Sequence, residues 1–209
     1  MKENGFEYVD LDLPSGTMWA TCNVGAAKPE DSGLLFQFGR VDGYTYNDNN
    51  NKFIQNYQNE KVTGSEYIPV TTSGKVYKAN DILDLEDDAA HVNMGGEWKM
   101  PTNYQLEELF YCTTHKLETV NGVKGMMFTS DTNGNQLFIP FAGWWYDDMF
   151  EFTGSCGVML SSQVYNSDVD YAYILSCVSS GYTNIGRSLR SRAFSVRGVF
   201  KKIKHLEAF

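Results

Sequence analysis

Long apolar runs and an excess of positive charge are both missing from this 209-residue chain. A membrane-spanning helix needs about 20 consecutive apolar residues, and the sequence contains no such run. Residues 1–7 (MKENGFE) are too few and too polar for a secretory signal peptide. The 17 Lys and Arg against 26 Asp and Glu give a net charge of −9, whereas nucleic-acid binding depends on cations that neutralise phosphates. The sequence therefore predicts neither membrane insertion nor nucleic-acid binding.

Motifs for catalysis and for metal binding are missing as well. The three histidines lack the H-E-x-x-H spacing, and no G-x-S-x-G elbow or phosphate-binding glycine loop occurs. The acidic residues Asp84, Glu86, Asp87 and Asp88 carry oxygen atoms that calcium could use, but the regular D-x-D-x-D-G spacing is absent. We expect this cluster to be a solvated helix N-terminus. The prediction is a protein that is not an enzyme and binds no metal and no cofactor.

The composition is that of a globular protein with many strands. Hydrophobic residues make up 42% of the chain and charged residues 21%, which is typical of globular domains rather than disordered chains. The aromatic content of 14%, together with 19 glycines, favours short strands joined by tight turns, because rings pack well on pleated surfaces. We expect a single domain over residues 1–209, with an insertion or long loop at about residues 41–80.

Two segments in the middle of the chain are predicted to be helical. The segment Leu83–Met94 offers Asp84 as an N-cap, acids in its first turn and a Gly-Gly pair after its end. The clearer helix begins after Thr102, which is followed three residues later by Gln105 in the spacing of a capping box.

Strands are predicted at both ends of the chain. Residues 7–26 form a hairpin pattern around a turn at Pro14, Ser15 and Gly16. From Met126 onward, short apolar runs alternate with Gly, Asn and Asp turns. The predicted fold class is therefore α+β.

Residues 143–197, which we call the late region, differ in composition from the rest of the chain. They contain ten Ser and five Tyr but no Lys, although twelve Lys occur elsewhere. Tyrosine and serine dominate evolved binding loops, because Tyr gives a large contact area at low entropic cost and Ser gives adaptable hydrogen bonds. Composition alone leaves open an ordinary β-rich half with polar turns. The aromatic run Trp144, Trp145 and Tyr146 offers rings for stacking on a sugar, with core packing as the alternative.

Four motifs carry a resemblance to a known family. They are EYVDLDLPSGTMWATCNVGA, DLEDDAAHVNMGGEWKMPTNYQLEEL, NGVKGMMFTSDTNGNQLFIPFAG and AFSVRGV, and they extend from about Glu7 to Val199. In their order and in their residues, these motifs resemble the Fibrobacter-succinogenes-type major paralogous domain of gut Bacteroidetes and their phages. The resemblance implies a C-type-lectin-like fold, with two helices beside a mixed or antiparallel sheet and long loops.

The same resemblance implies a function in ligand binding. That fold is shared with the variable proteins of diversity-generating retroelements, in which scattered positions near the end of the chain vary and contact the ligand. The expected function is recognition of a receptor, or adhesion to a cell-surface protein or glycan, by a protein displayed on a phage virion or a bacterial surface.

Departures from the family pattern fall in the late region. Met159 and Leu160 replace a Tyr-Trp pair, and Gly198 replaces a proline. Positions expected to hold Asn, Tyr or Ser hold a mixture of other residues, and apolar side chains are unusual choices for exposed loops. We interpret this mixture as the product of adenine-directed mutagenesis. The positions are Phe150, Phe152, Cys156, Val158, Gln163, Val164, Ile174, Cys177, Val178 and Ile185.

The candidate contact residues are the aromatic, polar and cationic side chains of the late region. Aromatic anchors and arginine are the side chains most often found at binding hot spots. The predicted ligand-binding residues are Tyr146, Phe150, Phe152, Val158, Gln163, Tyr165, Asn166, Tyr171, Tyr182, Asn184 and Arg187.

Two alternatives to a diversified binding protein stay open. One is a structural or adhesion module without evolved diversity. The other is an oxidase of the formylglycine-generating type, which the resemblance implies because it shares the fold and uses a reactive cysteine pair, for which Cys156 and Cys177 are the candidates. In the binding-protein interpretation these two thiols lie at the surface, whereas Cys22 and Cys112 belong to scaffold motifs and lie close together.

The fold resemblance also implies a specific sheet. The strand Gln136–Pro140 and the final strand Phe194–Phe200 are expected to lie in one sheet, with the Thr102 helix packed beside it. Alternation of Phe194, Val196, Gly198 and Phe200 would place these residues on one side of that sheet.

Overall fold

The computed structural model describes residues 1–45, 70–146 and 149–202, with the backbone alone for Tyr146, Met149 and Phe150. Most of the insertion expected at about residues 41–80 lies outside the described residues. The described helices are α1 (Ala89–Met94), which follows a 3₁₀ turn at Leu85–Asp87, and α2 (Asn103–Tyr111). The described strands are β1 (Lys2–Glu3), β2 (Phe6–Asp10), β3 (Thr17–Asn23), β4 (Leu35–Phe36), β5 (Thr113–Val120), β6 (Val123–Ser130), β7 (Gln136–Pro140), β8 (Trp144–Tyr146), β9 (Met149–Glu151), β10 (Cys156–Val164), β11 (Tyr171–Val178), β12 (Thr183–Leu189), β13 (Phe194–Ser195) and β14 (Arg197–Lys201).

These strands lie in four sheets. One has the order β1-β2-β3-β14, and the largest has the order β12-β11-β10-β13-β4. A third sheet has the order β5-β6-β7, and β8 pairs with β9. The strand pairs are antiparallel except for the short parallel contact between β10 and β13.

The expected α+β class is wrong, because the fold is mostly β. Strand accounts for 43% of the structure and helix for 10%, with two α-helices in the described part of the chain. The helices are six and nine residues long, too short to form a layer of their own. Strands distributed over four sheets also differ from the expected arrangement of two helices beside one sheet.

The predicted N-terminal hairpin is confirmed. β2 pairs antiparallel with β3, with Val9 opposite Trp19. Gly16 has a positive φ of 71°, and its N–H donates to the carbonyl of Leu13 at 2.8 Å. The turn is held from outside by Glu108, whose carboxylate accepts the Ser15 N–H at 2.7 Å and the Ser15 hydroxyl. A residue from α2 thus fixes a turn that the local sequence favours.

One predicted helix is confirmed and the other is shorter than expected. α2 begins after Thr102 with the predicted capping box to Gln105. Leu83–Met94 is divided into the 3₁₀ turn and α1, and the side chain of Asp84 caps neither. Asp88 is the N-cap of α1 instead, and its carboxylate accepts the His91 N–H at 2.9 Å.

The expectation that the Gln136–Pro140 strand and the final strand share a sheet is wrong. β7 pairs with β6, whereas β14 pairs with β3. The final run also divides at Val196: Phe194 pairs with Phe36 in the five-stranded sheet, and Phe200 pairs with Met18 in the four-stranded sheet. Phe194 and Phe200 therefore belong to different sheets, and the expected placement of the four alternate residues on one side of a single sheet is wrong.

The core consists mainly of two apolar clusters on opposite faces of β10 and β11. Alternate residues of β11 divide between them: Ala172 and Ile174 join one cluster, and Leu175 and Cys177 join the other, as expected for side chains that alternate across a sheet. The first cluster contains α1 and the ring of Trp98. The second contains Leu106 and Leu109 of α2 with Trp19 and Phe128.

A fully buried arginine joins three strands at the point where the final run changes sheets. The guanidinium of Arg197 donates to Asn23 Oδ1 at 3.0 Å, to the carbonyls of Ala20 and Thr21, and to the carbonyl of Phe138 at 3.1 Å. These acceptors are neutral oxygens, and burial lowers the pKa of Arg197 to about 10. The side chain stays protonated at neutral pH and holds β3, β7 and β14 together.

Within residues 1–45, 70–146 and 149–202, no helix is long and apolar enough to cross a bilayer.

Candidate functional site

The connection between β10 and β11 is a compact turn fixed by its own hydrogen bonds. The Tyr165 N–H donates to the Tyr171 carbonyl at 2.9 Å, and the Tyr171 N–H donates to the Asp168 carbonyl at 3.3 Å. The Asp168 carboxylate also accepts the Asp170 N–H at 3.2 Å, as aspartate commonly does in turns. We call residues 165–170 the 165–170 turn.

A buried arginine attaches the 165–170 turn to the end of β12. The Arg190 N–H donates to the Asp170 carbonyl at 2.9 Å, and Arg190 Nη1 donates to the Val169 carbonyl at 3.1 Å. The guanidinium lies over the ring of Phe38, 4.6 Å from its centroid. Burial lowers the pKa of Arg190 to about 10, so the side chain is charged at neutral pH. The turn is therefore fixed by Arg190 as well as by its own hydrogen bonds.

A second arginine, on β12, packs against the rings of two tyrosines. The guanidinium carbon of Arg187 is 4.9 Å from the ring centroid of Tyr165 and 4.3 Å from that of Tyr171. Its Nη1 is 3.6 Å from Asp168 Oδ2, and the Arg187 side chain is 43% exposed. Each exposed cation–π contact contributes about 0.5–1 kcal/mol, so the two rings and the carboxylate hold the guanidinium in place. We call Tyr165, Asp168, Tyr171 and Arg187 the Arg187 cluster.

Tyr173 extends the Arg187 cluster, and the sequence reasoning missed it. Its ring centroid is 4.8 Å from that of Tyr165, and it lies opposite Arg187 in the β11–β12 register. Burial is the largest of the causes that raise the pKa of the Tyr173 hydroxyl. The spacing from Tyr171 to Tyr173 was the available signal, because residues two apart on a strand share a face. No comparable feature of the sequence indicated that Asp168 would belong to the cluster.

The structure brings part of the predicted contact set together. Tyr165, Tyr171 and Arg187 belong to the Arg187 cluster, and the exposed Asn166 lies in the same turn. Tyr182 is 64% exposed but lies at the β11–β12 turn, at the opposite end of β11.

Other predicted residues are engaged in contacts within the protein. The Asn184 side chain accepts the Ser176 hydroxyl at 2.5 Å. The Gln163 side chain accepts the Asn103 N–H at 3.3 Å, at the start of α2. Phe152 is exposed and stacks on Trp144 at 4.4 Å, so that tryptophan is covered on one face by the protein's own ring. Val158 is 2% exposed and lies in the first apolar cluster. The side chains of Tyr146 and Phe150 lie outside the described residues.

The apolar residues interpreted as scattered surface substitutions are largely core residues. Cys156, Val158, Val164, Ile174 and Cys177 are all buried. The first four lie in the first apolar cluster, and Cys177 lies in the second. Burial in the core accounts for apolar side chains at these positions, so adenine-directed mutagenesis is not needed to explain them.

The cysteine assignment is reversed by the structure. Cys156 and Cys177 are buried, whereas Cys22 and Cys112 are partly exposed. Burial raises the pKa of the Cys156 thiol to about 11 and raises that of Cys177 as well. The two buried thiols also point to opposite faces of the sheet, since Cys156 lies in the first cluster and Cys177 in the second.

The acidic segment before α1 is partly buried, contrary to the expectation of solvated acids. The carboxylate of Asp87 accepts the Ser73 N–H at 2.7 Å and the Tyr77 hydroxyl at 2.7 Å. The carboxylate of Asp88 accepts the Met100 N–H at 2.9 Å in addition to the His91 bond. These acids organise the protein's own backbone, and the described residues contain no group of three His, Cys, Asp or Glu side chains placed to hold a metal ion.

The Arg187 cluster lies on a partly exposed surface, where the Arg187 side chain is 43% exposed. A cavity of about 880 Å³ lies between the 3₁₀ turn, the start of α2 and β14, and none of the predicted contact residues lines it. An open surface with aromatic and arginine side chains suits a macromolecular ligand better than an enclosed small molecule.

Comparison with known proteins returned no relative. No protein-family model, curated protein or solved structure matches this chain.

Proposed function

We propose that this chain is a ligand-binding protein that contacts a cell-surface protein or glycan through the Arg187 cluster. On this proposal it is displayed outside the cell, on a phage virion or a bacterial surface, and its contact positions are diversified. The observation that carries the proposal is the guanidinium of Arg187, which packs against two tyrosine rings on a partly exposed surface. The serine- and tyrosine-rich composition of the late region and its resemblance to the major paralogous domain give further support.

The cluster has the physical properties of a binding hot spot. The backbone that carries Tyr165 and Asp168 is fixed before a ligand arrives, because the 165–170 turn is bonded to Arg190 and within itself. Preorganisation raises affinity, since less conformational entropy is lost on binding. The guanidinium packs against two rings, and none of its N–H groups makes a hydrogen bond to a described residue. Those donors are available to oxygen atoms of a ligand.

The buried thiols disfavour the oxidase alternative. Chemistry of that kind needs a reactive thiolate, and thiols with raised pKa values stay protonated at neutral pH. Cys156 and Cys177 both have raised pKa values because of burial.

Binding to intact cells tests the proposal. Replacing Arg187 with Ala is expected to weaken binding of the fluorescently labelled protein to a panel of gut bacteria about 30-fold, the equivalent of about 2 kcal/mol at a hot spot. Arg187→Lys is expected to weaken binding as well, because an ammonium group does not stack between rings as a planar guanidinium does. Protease or periodate treatment of the cells then distinguishes a protein ligand from a glycan.

The matched control is Tyr111→Ala, which removes a 74% exposed tyrosine from α2, outside the late region. It is expected to leave binding unchanged. Circular dichroism and thermal unfolding show whether each variant is folded. Binding that survives Arg187→Ala in a folded protein would place the functional surface elsewhere.

Diversification makes a separate prediction about gene sequences. Among many copies of the gene from one population, substitutions are expected at adenines between codons 143 and 192, concentrated at exposed codons such as those of Asn166, Tyr182 and Arg187. The codons of the core residues Ile174 and Leu175 are expected to stay constant, because substitution there would disturb packing. Deep sequencing of the gene measures this, and uniform drift along its length would reject diversification.

A further inference from the structure

Strand β12 forms an outer edge of the five-stranded sheet. It pairs with β11 from Thr183 opposite Cys177 to Leu189 opposite Tyr171, without a register shift. In the part of the chain that the structure describes, no strand pairs with its other side. A regular outer strand of this kind offers a row of backbone donors and acceptors.

The alternation of hydrogen bonds along the ladder identifies the residues of β12 whose backbone N–H and C=O groups point away from β11. The Val178 N–H donates to the Tyr182 carbonyl at 2.9 Å, so this pair is a hydrogen-bonded pair of the antiparallel ladder. Since such pairs recur every second residue, Asn184 and Gly186 bond to β11, whereas residues 183, 185 and 187 direct N–H and C=O away from it. The next outward residue, Leu189, is 8% exposed, and its carbonyl accepts the Arg192 N–H at 3.2 Å. The open stretch is therefore Thr183–Arg187.

Three other described outer strands are short, charged or covered. β1 and β4 have two residues each, and Tyr44 forms a bridge with Leu35 on β4. β5 carries the exposed ion pair Lys116–Glu118. The open stretch of β12 has one charged residue, no proline and no bulge, so it lacks the devices that usually prevent edge pairing.

We propose that β12 pairs antiparallel with β12 of a second copy of this chain, about a two-fold axis at Ile185. In this register Ile185 lies opposite Ile185 of the second copy, and Thr183 lies opposite Arg187. The three outward residues of each strand then exchange six hydrogen bonds, and the two sheets become continuous. A two-fold interface joins the same surface of both copies, as is usual for homodimers.

Charge and access disfavour two alternative registers, with axes at Arg187 and at Gly186. An axis at Arg187 would place the two arginines opposite each other, and like charges opposite on paired strands are destabilising. An axis at Gly186 would pair Thr183 with Leu189, whose carbonyl is already occupied. The axis at Ile185 places an apolar pair at the centre and a neutral hydroxyl opposite each arginine. It also places both Arg187 clusters on one face of the joined sheet, which favours bivalent binding.

Sedimentation equilibrium and hydrogen exchange test the dimer. From roughly 1 to 300 μM, a range suited to a small interface, the mean mass is expected to rise from 23.6 kDa towards twice that value. The amides of Thr183, Ile185 and Arg187 are expected to exchange more slowly as concentration rises. A mass that stays at 23.6 kDa over the whole range overturns the proposal.

Thr183→Pro removes one outward donor and leaves the bonds to β11 intact, since proline is tolerated where an edge N–H points outward. It is expected to weaken dimerisation at least tenfold, whereas the matched control Thr183→Val, which keeps the N–H, dimerises like the unmodified chain. Ile185→Lys supplies an independent test, because it places two ammonium groups opposite each other at the axis. If either folded variant, the proline or the lysine one, dimerises as well as the unmodified chain, the pairing is wrong.

Discussion

Replacing Arg197 with methionine is expected to lower the free energy of unfolding by about 3 kcal/mol, because several buried oxygens would lose a charged hydrogen-bond donor. Methionine nearly fills the space but donates no hydrogen bond. Four oxygens, on Asn23, Ala20, Thr21 and Phe138, lose their donor in a site from which water is excluded, and an unsatisfied buried polar group typically costs about 1–3 kcal/mol. Urea unfolding followed by circular dichroism measures the change.

Two controls define the cause of that loss. Arg197→Lys retains a positive charge but cannot reach all the acceptors on β3 and β7, so an intermediate loss is expected. Lys116→Met removes a cation from an exposed site and is expected to change stability by less than about 0.5 kcal/mol. If Arg197→Met costs no more than Lys116→Met, the buried hydrogen bonds do not hold the strands together.

Replacing Gly143 with alanine is expected to destabilise the fold by about 3 kcal/mol, through backbone strain and overpacking together. Gly143 follows β7 and has a φ of 72°. A Cβ atom there would lie 2.2 Å from the Glu151 carbonyl oxygen and 2.9 Å from the Thr153 nitrogen. Both neighbours belong to the backbone, so a side-chain rotation cannot relieve the clash. Thermal and urea unfolding measure the effect.

Gly154→Ala separates the two contributions to that loss. Gly154 has nearly the same backbone angle, with a φ of 73°, but an added Cβ would meet nothing within 4 Å. This variant is expected to cost about 1 kcal/mol, from the positive φ alone. Equal losses at Gly143 and Gly154 would show that close approach of the backbone contributes nothing.

Local sequence determined the elements that depend on neighbouring residues. The capping box between Thr102 and Gln105 places donor and acceptor three residues apart, so α2 could be predicted from four positions. The hairpin turn at Gly16 was equally local, because its positive φ favours glycine. The first helix was predicted too long, because Asp84 and Asp88 are equivalent as caps in the sequence. In the structure Asp88 is the cap, and its carboxylate also accepts a hydrogen bond from the N–H of Met100, twelve residues away.

The candidate site was predictable only in part. Tyrosine enrichment pointed to the late region, and Tyr165, Tyr171 and Arg187 were among the residues chosen. Nothing in the sequence showed that these three side chains meet, since Arg187 is separated from Tyr171 by most of two strands. The register of β11 with β12 decides that contact, and Asp168 joins it only because the 165–170 turn folds over β12.

The sequence by itself determined the acidic charge, the α2 helix, the N-terminal hairpin and the unusual composition of the late region, because each depends on residue content or on short spacings. Only the tertiary structure decided that the fold is mostly β, that Cys156 and Cys177 are buried, and that the final run changes sheets at Val196. The physical reason is that a strand with apolar residues on both faces has the same local pattern whichever strands it pairs with. Burial and pairing are set by long-range contacts such as those of Arg197, whose acceptors lie on segments far away in the chain.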